Sequence, residues 1–486
     1  MPVYGNLIGG KWVKSASGRT FESLDPATGR PIGTFQSSTE KDIKKAVSAA
    51  RKAFPGWKAV PAPERGQMLF RIAELLRNDK ERLASLETRE MGKAINEARG
   101  DVQEAIDIAE YMAAEGRRLL GHTTPSELPD RFCATIKQPV GVFGLITPWN
   151  FPIAIPAWKL MPALIAGNTI VFKPSSDSPL CAIEFVKILE KAGIPPGVVN
   201  LVTGSGRDAG GPLVKHKDVG GISFTGSMET GIWITQNAGL KKVGLELGGK
   251  NPIIVMDDAD LDLAVDGVLW GGYATTGQRC TACSRVIVHE KVLKAFERKL
   301  LARIGKLKVG NGMDPKTDVG PLVNKAAVDK TESYVKLGKA EGAKLCCGGK
   351  RTGRKGCFFQ PTLFTNCSMD MKICQEEIFG PIVSLIPVKG FSQAIDAANS
   401  VDYGLSSAIY TSSMKRAFRA IELMDAGITY VNSSTIGAEV HLPFGGTKAT
   451  GNGTREAGIE GLNEFTETKA VYIDYSGRLQ KAQKIK

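Results

Sequence analysis

The chain is poor in the residues from which metal centres and disulfide frameworks are built. Its 486 residues include four histidines, and its nine cysteines are an odd number dispersed over a long sequence. Cys280 and Cys283 form a CxxC pair, but neither a second such pair nor a suitably spaced histidine pair accompanies them. We therefore expect no metal site and no disulfide framework. Reduced thiols also favour a cytoplasmic protein.

A long apolar run and an export signal are missing as well. The longest apolar runs, such as residues 139–149, are far shorter than the roughly 20 residues that cross a bilayer. Residues 1–10 lack the basic region, apolar stretch and cleavage site of a secretory leader. We therefore expect no membrane partner.

Acidic residues are outnumbered by basic ones, 50 to 63, which gives a formal net charge of +13. Such an excess is compatible with nucleic-acid binding, with an anionic small ligand or simply with solubility. Along helical segments such as residues 64–99 the two signs alternate, which indicates solvated faces instead of one basic stripe. We expect no nucleic-acid partner, and a cationic mouth for an anionic substrate or a phosphate-rich cofactor remains open.

What the sequence does contain predicts an α/β protein. With 42% apolar and 23% charged residues it has ordinary globular composition, and its length indicates two or three domains. The opening is α-rich, and Thr39 with Asp42 forms a capping box at the first helix. Periodicity predicts helices over 39–51, 63–78, 80–91 and 97–120.

From residue 140 short apolar runs alternate with helix-length segments, as in βαβ units of a doubly wound parallel sheet. The predicted strands are 141–147, 169–173, 198–202, 221–224 and 243–247, and the helices between them are 153–166, 179–192, 208–216 and 230–238. A second series has strands at 253–256 and 286–289 and helices at 260–273 and 292–307. Residues 309–319 and 348–356 are predicted as loops, and 468–475 as a half-buried strand that pairs with another subunit.

Two glycine-rich segments carry the strongest chemical signal. Cys280 lies in Gly-Gln-Arg-Cys-Thr at 277–281, and Glu246 begins Glu-Leu-Gly-Gly-Lys at 246–250. A cysteine becomes a strong nucleophile when it loses its proton, and a neighbouring base promotes that loss. The pair therefore suggests covalent catalysis. The alternative, that Cys280 is a buried small hydrophobe, stays open.

Glycine turns at the ends of predicted strands are candidates for binding the phosphates of a dinucleotide. The segment 204–210, which contains Gly206, resembles a dinucleotide fingerprint with one residue too many before its last glycine. Phe224, Gly226 and Ser227 belong to a second turn, which opens a helix whose N-terminal amides can face a phosphate. A purely geometric role for both turns, and a core position for Phe224, remain open.

Lys173, Pro174, Ser175 and Ser176 end a predicted buried strand, at the edge where open α/β sheets bind ligands. Lys173 can contribute there to ribose or phosphate binding, or it is a solvated strand-end lysine. Ser176 carries no carboxylate, so nothing at this position repels the 2′-phosphate of NADP, whereas a glutamate would favour NAD. Both NADP and NAD are therefore admissible cofactors.

Seven motifs in register resemble those of the aldehyde dehydrogenase superfamily, and the resemblance runs from about residue 10 to residue 471. The motifs are Pro-Trp-Asn-Phe-Pro at 148–152, Lys-Pro-Ser-Ser at 173–176, Phe-Thr-Gly-Ser at 224–227, Glu-Leu-Gly-Gly-Lys at 246–250, Gly-Gln-Arg-Cys at 277–280, Glu-Glu-Ile-Phe-Gly-Pro at 376–381 and Pro-Phe-Gly-Gly at 443–446. The resemblance implies NAD(P)-dependent oxidation of an aldehyde to a carboxylic acid through a cysteine thiohemiacetal and thioester.

It also implies residue roles. Cys280 would attack the aldehyde carbon, and Asn150 with the Cys280 backbone N–H would hold the resulting oxyanion. Glu246 would activate the hydrolytic water and the thiol; members that pass the acyl group to coenzyme A tend to lack this glutamate, so Glu246 implies a free acid as product. Lys159 and Glu467 match a lysine and a glutamate thought to relay protons to that base, with a plain salt bridge as the alternative.

For the cofactor, the resemblance implies that Glu377 holds the nicotinamide ribose, that Phe379 flanks the ring and that Thr147 and Trp149 line the cleft. The positions expected to bind cofactor are Ile146, Thr147, Pro148, Trp149, Lys173, Pro174, Ser175, Ser176, Gly206, Phe224, Gly226, Ser227, Leu247, Glu377 and Phe379.

The implied architecture is an atypical Rossmann-type nucleotide-binding domain, a catalytic domain with the thiol and a small β-arm that builds homodimers or homotetramers. We assign residues 1–121 and 140–248 to the nucleotide-binding domain and 249–440 to the catalytic domain. We assign 122–139 and 465–486 to the arm, with 441–464 connecting to it.

The substrate is the least determined part of the prediction. Residues 450–456 have threonine where the family often has serine, and one extra residue before the arginine; with residues 435–441 they resemble enzymes acting on semialdehydes, notably 2-oxoglutarate semialdehyde. We therefore predict an anionic semialdehyde, this one or succinate semialdehyde, with the +13 charge as the main physical argument. Arg279 is common in the family and does not discriminate. The alternative is a broad-specificity aliphatic or aromatic aldehyde dehydrogenase.

Two further hypotheses belong to other classes. A cysteine acyl hydrolase would need a cysteine–histidine pair, and none of the four histidines lies in a recognisable motif. A non-catalytic binding protein that retains the fold would not need Cys280, Glu246 and Asn150 together, so their presence counts against it.

Overall fold

The computed structural model describes residues 1–353, 355–481 and 483. Residues 354, 482 and 484–486, which include part of the predicted loop 348–356 and the end of the predicted arm, lie outside the described residues. Through residue 246 the elements are β1 (Asn6–Ile8), β2 (Lys11–Val13), β3 (Thr20–Leu24), β4 (Pro31–Gln36), α1 (Glu40–Ala59), α2 (Ala62–Asn78), α3 (Lys80–Met91), α4 (Ile95–Glu115), β5 (Thr123–Thr124), β6 (Arg131–Pro139), β7 (Val142–Ile146), α5 (Ala154–Ala166), β8 (Thr169–Lys173), α6 (Pro179–Lys191), β9 (Val199–Leu201), α7 (Gly211–Lys215), β10 (Gly221–Thr225), α8 (Met228–Asn237) and β11 (Lys242–Glu246).

The second half contains two further βαβ series and the final strand. Its elements are β12 (Asn251–Val255), α9 (Leu261–Tyr273), β13 (Cys283–His289), α10 (Glu290–Ile304), α11 (Lys325–Ala340), β14 (Lys344–Cys347), β15 (Thr362–Thr365), α12 (Lys372–Gln375), β16 (Ile382–Val388), α13 (Phe391–Asn399), β17 (Tyr403–Gly404), β18 (Ser406–Tyr410), α14 (Met414–Leu423), β19 (Ile428–Val431), β20 (Thr447–Lys448), α15 (Gly461–Glu464) and β21 (Thr466–Asp474).

The first large sheet has seven strands in the order β11-β10-β7-β8-β9-β1-β2. Strands β11 to β9 in this order are parallel, and β1 adds antiparallel to β9. Strand β8 is buried along its whole length and rich in β-branched residues, as expected of a strand covered by helices on both faces. From β7 the chain proceeds to β8 and β9 on one side and later to β10 and β11 on the other. The strand order therefore reverses between β7 and β10, and such switch points are where open α/β sheets bind ligands.

The second large sheet has the order β14-β15-β16-β13-β12-β18-β19, and it is parallel except at β14. Strand β11 ends at Glu246 and β12 begins at Asn251, so residues 247–250 lead from the carboxyl edge of the first sheet to the amino edge of the second. Cys280 lies just before β13, at that same amino edge. The two edges therefore meet at the segments that the sequence singles out for chemistry.

A third sheet is separate from both. Strand β21 pairs antiparallel with β6 along all nine residues of each strand, and β5 pairs with the other side of β6. Its exposed apolar side chains are Phe132, Ile136, Tyr472 and Ile473. The sheet corresponds in position to the predicted arm.

The α/β prediction is confirmed, and the strands and helices predicted between 140 and 307 are present with shifts of a few residues at their ends. The α-rich opening was wrong for residues 1–36, where short strands β1 to β4 precede the first helix. Helix α1 continues past Arg51 and Pro55 because Trp57 in its last turn is buried in the core. Residues 206–210 form a π-helical turn before a short α7 in place of one helix.

No helix among the described residues has the length and apolar character needed to cross a bilayer.

The capping box predicted at Thr39 is present and is part of a larger network. The Asp42 carboxylate accepts hydrogen bonds from the Thr39 N–H at 3.0 Å, the Ala16 N–H at 2.8 Å and the Ser15 hydroxyl at 2.8 Å. Burial alone would raise the pKa of Asp42, but these hydrogen bonds outweigh it and lower the pKa. Asp42 therefore fastens the start of α1 to the preceding β-strands.

Asp42→Asn is expected to destabilise the fold at neutral pH by about 1–3 kcal/mol, because the amide nitrogen cannot accept these hydrogen bonds. The folded-state pKa lies below the ordinary value of 3.8, so the ionised carboxylate stabilises the fold above that pH, and this contribution is lost as the pH falls through the lowered value. The difference in melting temperature between wild type and variant should therefore shrink on acidification, as measured by thermal unfolding.

Glu40→Gln is the matched control, since Glu40 lies in the first turn of the same helix with its side chain 61% exposed and paired to Lys44. Its effect should be below about 1 kcal/mol. Equal shifts in the two variants would contradict the role of the buried network.

Candidate active site

A cleft of about 1190 Å³ opens at the switch point between β7 and β10. Of the predicted cofactor positions, those that line it are Ile146, Thr147, Pro148, Trp149, Lys173, Ser175, Gly206, Phe224 and Gly226. The cleft is also lined by mostly polar residues that were not expected from the sequence. They lie on α1, in the π-helical turn before α7, in α7 and just after it, and on α8, and include Lys44, Arg207, Lys215, His216, Lys217, Glu229, Thr230 and Trp233. Nothing local marks these residues as ligand-binding, because helix surfaces are commonly lysine-rich.

The glycine turn after β10 is shaped by close packing. A Cβ atom on Gly226 would lie 2.4 Å from the Phe224 ring, so only glycine allows the backbone to pass there. Phe224 belongs to the hydrophobic core and also lines the cleft, so both interpretations of this residue hold. Ser227 caps α8 by accepting a hydrogen bond from the Thr230 N–H, and Glu229 and Thr230 in the first turn of this helix line the cleft.

Lys173 is a buried strand-end lysine whose ammonium donates a hydrogen bond to the Pro174 carbonyl at 2.8 Å. Burial lowers its pKa to about 8. Ser176 donates its hydroxyl proton to the Gly204 carbonyl at 3.1 Å and joins two loops of the cleft wall. Neither Pro174 nor Ser176 is among the described residues that line the cleft, whereas Ser175 is.

A smaller pocket of about 250 Å³ adjoins the cleft and shares Pro148, Trp149, Thr225 and Gly226 with it. The pocket contains several residues that the sequence analysis had singled out, namely Asn150, Ser227, Leu247, Cys280, Glu377 and Phe379. Trp149 and Phe379 face each other edge to face with their ring centres 5.5 Å apart. Cys280 therefore lies in a pocket that is continuous with the cleft.

Cys280 lines this pocket and is partly exposed as a residue. Burial, the Glu246 carboxyl and the Glu377 carboxyl raise its pKa to about 12, against which the Thr281 N–H acts by hydrogen bonding the sulfur. A thiol in such surroundings is protonated at neutral pH and needs a base before it can act as a nucleophile.

Asn150 is buried beside the thiol, and its side-chain amide donates to the Gln278 carbonyl at 3.0 Å. A carboxamide carries two N–H donors, so one is left for a ligand in the pocket. The backbone around Cys280 is itself held, because the Asn251 amide donates to the Cys280 carbonyl at 2.7 Å and to the Ala282 carbonyl at 3.0 Å.

Glu246 is buried at the end of β11, and neither of its carboxylate oxygens has a hydrogen-bond partner among the described residues. A Cβ on Gly445 would lie 2.6 Å from one of these oxygens, so this glycine makes the space in which the carboxyl group sits. Burial, followed by the negative charge of Glu456, raises the pKa of Glu246 well above its usual value, while Lys159 opposes the shift. A carboxylate of this kind is a strong proton acceptor.

The expectation that Glu467 accompanies Lys159 was wrong. Glu467 lies on β21 opposite Gln138 and is exposed, as are most residues of this strand. Lys159, fully buried on α5, contacts the Glu456 carboxylate and donates to the Ser223 hydroxyl at 2.8 Å. Glu456 directly follows Arg455 in the motif noted from the sequence, so its position there was the signal that would have identified it.

A second buried carboxyl group, Glu464, completes this cluster on α15. Burial raises its pKa to about 7, with Lys159 and a hydrogen bond from Ser223 acting in the opposite direction. A Cβ on Gly244 would lie 1.9 Å from its carboxylate oxygen, so a glycine on β11 makes room for it. Behind the pocket, three carboxyl groups therefore surround one lysine.

Glu377 projects into the pocket from the loop before β16. Its carboxylate accepts a hydrogen bond from the Gly249 N–H at 2.9 Å, and Lys330 donates to its backbone carbonyl at 3.0 Å. Burial raises the pKa of Glu377. Lys330, with Ala327, also lines the pocket and was missed, because nothing in α11 distinguishes it from other exposed lysines.

Cys283, the second cysteine of the CxxC pair, lies in a strand and not in the Cys280 pocket. It is the buried first residue of β13, where the β-branched run that follows favours a strand. No group of three or more histidine, cysteine and acidic side chains in the described part of the chain could hold a metal ion.

The doubly wound sheet, the cleft at its switch point and the adjoining thiol make an α/β protein with a ligand-sized cleft beside a candidate nucleophile. The aldehyde dehydrogenase family model matches residues 12–471. The alpha-ketoglutarate semialdehyde dehydrogenase of Haloferax volcanii is 44% identical over 97% of this chain and 99% of its own length. The alpha-ketoglutaric semialdehyde dehydrogenase of Bacillus subtilis (strain 168) is 41% identical over 97% of this chain and 98% of its own.

Among solved structures, betaine aldehyde dehydrogenase from Staphylococcus aureus in complex with NAD+ superposes with a TM-score of 0.96, at 38% identity, over 98% of this chain and 96% of that one. The chain belongs to the aldehyde dehydrogenase family. It is thus an enzyme that oxidises aldehydes, which confirms the prediction of the enzyme class from the sequence motifs.

Proposed function

We propose that the enzyme oxidises an anionic semialdehyde, such as 2-oxoglutarate semialdehyde, to the carboxylic acid with NAD or NADP, and that Cys280 is its nucleophile. The observation that carries the proposal is the shared pocket of Cys280, Asn150 and Glu377, which opens through Trp149 and Gly226 into the large cleft. The thiol, an amide donor and the route to a cofactor site therefore meet in one place.

In the first step the Cys280 thiol gives its proton to a base, and its sulfur bonds to the aldehyde carbon. The Asn150 amide and the Cys280 backbone N–H donate to the oxygen that becomes negative, which is where preorganised donors lower a barrier most. Removing one such donor typically costs about 2.7–4 kcal/mol in the transition state. Asn150 is rigid in this role because its amide is already fixed by the Gln278 carbonyl.

The cleft fits a nicotinamide dinucleotide. Its volume is about 1190 Å³, its glycine turns at Gly206 and Gly226 let backbone approach phosphates, and the buried hydroxyls of Thr147 and Thr225 have no partner among the described residues. When bound, the cofactor supplies the acceptor for the hydride of the sulfur-bound carbon. Glu377 would orient the ribose, and Trp149 and Phe379 would flank the ring.

Glu246 serves the second half of the reaction. Its carboxylate takes a proton from water, the resulting hydroxide attacks the thioester carbon, and the Cys280 sulfur leaves as thiolate and is reprotonated. The raised pKa of Glu246 strengthens its attraction for that proton. From Glu246 the proton can pass to the cluster of Lys159, Glu456 and Glu464, which lies behind it.

The strands support the proposed division into domains. All strands of the first large sheet lie within 6–246 and all strands of the second within 251–431. We propose that the first part, residues 1–121 and 140–248, binds the nucleotide and that residues 249–440 carry the thiol. The exposed apolar side chains of the β21-β6-β5 sheet support the proposal that this arm, reached through 441–464, joins subunits into a homodimer or homotetramer. Nine free cysteines are in keeping with a cytoplasmic location.

The two relatives named as alpha-ketoglutarate semialdehyde dehydrogenases support the substrate proposal, as does the net charge of +13, which attracts an anionic aldehyde. The alternative of a broad-specificity enzyme for aliphatic or aromatic aldehydes is favoured by the aromatic residues Trp149 and Phe379, which line the same pocket as Cys280 and pack edge to face with their ring centres 5.5 Å apart. Uncharged aldehydes would pack against these rings and would need no charged residue for binding.

A panel of aldehydes decides between these substrates. Purified enzyme is expected to give a kcat/KM for 2-oxoglutarate semialdehyde or succinate semialdehyde at least about tenfold above that for uncharged pentanal or benzaldehyde, which one ionic contact of roughly 1.4 kcal/mol would produce. Reduced nicotinamide is followed by absorbance, with each nucleotide in turn. A higher kcat/KM for pentanal or benzaldehyde would establish the broad-specificity alternative.

Replacing Cys280 with alanine is expected to stop formation of reduced nicotinamide, while Cys283→Ala, which alters the buried neighbour, retains it.

Glu246→Gln is expected to lower the steady-state rate by roughly 10²- to 10⁴-fold. In Glu246→Gln the thioester between the acyl group and Cys280 should accumulate, because the water that hydrolyses it no longer has a base to take its proton. Mass spectrometry of the protein quenched during turnover detects the acyl group on Cys280.

Glu467→Gln is the control for the carboxyl group, since Glu467 is exposed on the arm. It should leave the rate unchanged. Dehydrogenase activity that persists in Cys280→Ala would refute the proposed nucleophile, and full activity of Glu246→Gln would remove its role as base.

For the cofactor, Ser176→Glu is expected to raise the KM for NADP at least about tenfold more than that for NAD, because a carboxylate there would repel the 2′-phosphate. Arg207, Lys215 and Lys217 on the cleft wall support NADP acceptance by their charge. Ser176→Gln, similar in size but neutral, separates charge from bulk. Equal effects of the glutamate variant on both nucleotides would show that the 2′ position is bound elsewhere.

A further inference from the structure

The turn that precedes the thiol has a strained backbone. Thr275 and Thr276 both adopt left-handed conformations, with φ and ψ of 49° and 27° and of 59° and 33°. Left-handed φ is rare for β-branched residues, so contacts from outside the turn must hold it. Both threonines are fully buried, and the turn lies between α9 and Cys280.

Glu97, in the first turn of α4, makes these contacts. One of its carboxylate oxygens accepts from the Thr275 N–H at 2.8 Å, from the Thr275 hydroxyl at 3.0 Å and from the Arg279 guanidinium at 3.0 Å. The other oxygen lies 3.0 Å from the same Thr275 nitrogen. A single carboxylate therefore binds both ends of the segment 275–279, directly before Cys280.

Arg279 is also held by a hydrogen bond and by two aromatic rings. Its Nε donates to the Thr275 hydroxyl at 2.9 Å, and its guanidinium lies 5.1 Å from the ring centre of Phe151 and 5.3 Å from that of Trp270. The side chains of Arg279 and Glu97 are 12% and 6% exposed. A mostly buried ion pair of this kind needs both partners, because removing one leaves the other charge unpaired.

The same turn is linked to the oxyanion donor. Gln278 donates from its backbone N–H at 3.0 Å and from its side chain at 3.1 Å to the Thr275 carbonyl. The carbonyl of Gln278 in turn accepts the hydrogen bond that fixes Asn150. A movement of Thr275 is thus transmitted in one direction to Cys280 and in the other to Asn150.

We infer that Glu97 is a positioning residue for the nucleophile: its carboxylate fixes Thr275 and Arg279 and thereby sets the relative placement of the Cys280 sulfur and the Asn150 amide. Glu97 itself does not line the pocket or the cleft. The inference rests on the proposed role of Cys280. Because effective catalysis needs reacting groups placed to within a fraction of an ångström, loss of this carboxylate acts on kcat more than on cofactor binding.

Glu97→Gln tests the inference, since it keeps the size of the side chain but removes the charge and one acceptor. We expect kcat for the fastest aldehyde of the panel to fall by about 10- to 100-fold, with the KM for NAD changed less than about twofold. Alkylation of Cys280 by iodoacetamide, measured by mass spectrometry in the enzyme without cofactor, should also change in rate. A purely structural role would alter thermal stability without this separation of kcat from KM.

Glu81→Gln is the matched control, because Glu81 also pairs with an arginine, Arg99 at 2.9 Å, but lies on the exposed outer side of α3. It should leave kcat unchanged. Unchanged kcat in Glu97→Gln, or an equal loss in Glu81→Gln, overturns the inference. If Glu97→Gln does not fold, Thr275→Val, which removes the hydroxyl links but keeps the backbone bond, is expected to lower kcat by about three- to tenfold, and an unchanged kcat there overturns the inference as well.

Cys280→Ala, assayed beside these variants, distinguishes failure of the proposed nucleophile from failure of the positioning role of Glu97. Activity in Cys280→Ala means that the proposed nucleophile is wrong. Loss of activity in Cys280→Ala together with unchanged kcat in Glu97→Gln means that the nucleophile stands and that only the positioning role fails.

Discussion

The short connection between Glu246 and Asn251 is the constraint on which the site depends. Residues 247–250 join the carboxyl edge of one parallel sheet to the amino edge of another, so the loops after β7 and β10 must face the loop before β13. The Gly249 N–H binds the Glu377 carboxylate, and a Cβ on Gly248 would lie 2.5 Å from the same group. Glycines are thus required where the connection passes between the two halves, and a longer or bulkier connection would separate the thiol from the cleft.

Burial of charge is the second physical feature of the site. Glu246, Glu456 and Glu464 lie around a single lysine, Lys159, in a region from which water is largely excluded. Three ionised carboxylates beside one ammonium would leave an excess of buried negative charge, which is costly in a medium of low dielectric constant. The raised pKa of Glu246 and that of Glu464, which is about 7, express this cost. A base that must take up and release a proton in every turnover is well served by neighbours that share it.

Local pattern was enough to predict the buried strands, the capping box at Thr39 and Cys280 as a candidate nucleophile, because glycine turns and short apolar runs leave signals within a few residues. Asn150 and Glu377 were expected only from the resemblance of their motifs to those of a known family. Contacts between residues that are distant in the sequence leave no such local signal. Glu467 was assigned to Lys159 although Glu456 occupies that place, since the sequence does not show which acidic residue near β21 faces inward. The lysines of α1 and α7, and the contact of Glu97 with Thr275, arise from helices that only the tertiary fold brings to the site. The left-handed turn at Thr275 and Thr276 could not be predicted either, because threonine does not favour this conformation and only the tertiary contacts of the turn hold it.

The raised pKa values of Cys280 and Glu246 have one common cause and a chemical use. Burial disfavours both anions; the Glu246 carboxyl further disfavours the Cys280 thiolate, and the Glu456 carboxyl further disfavours the Glu246 carboxylate. The resting thiol, with a pKa of about 12, would therefore seldom ionise at neutral pH. The same environment makes Glu246 a stronger base than an exposed glutamate. Transfer of the proton from sulfur to carboxylate then leaves the total charge of the pocket unchanged, and no additional ion has to be buried. Reactivity can thus be generated at the moment of addition, while the resting thiol stays neutral and resists oxidation, which requires the thiolate.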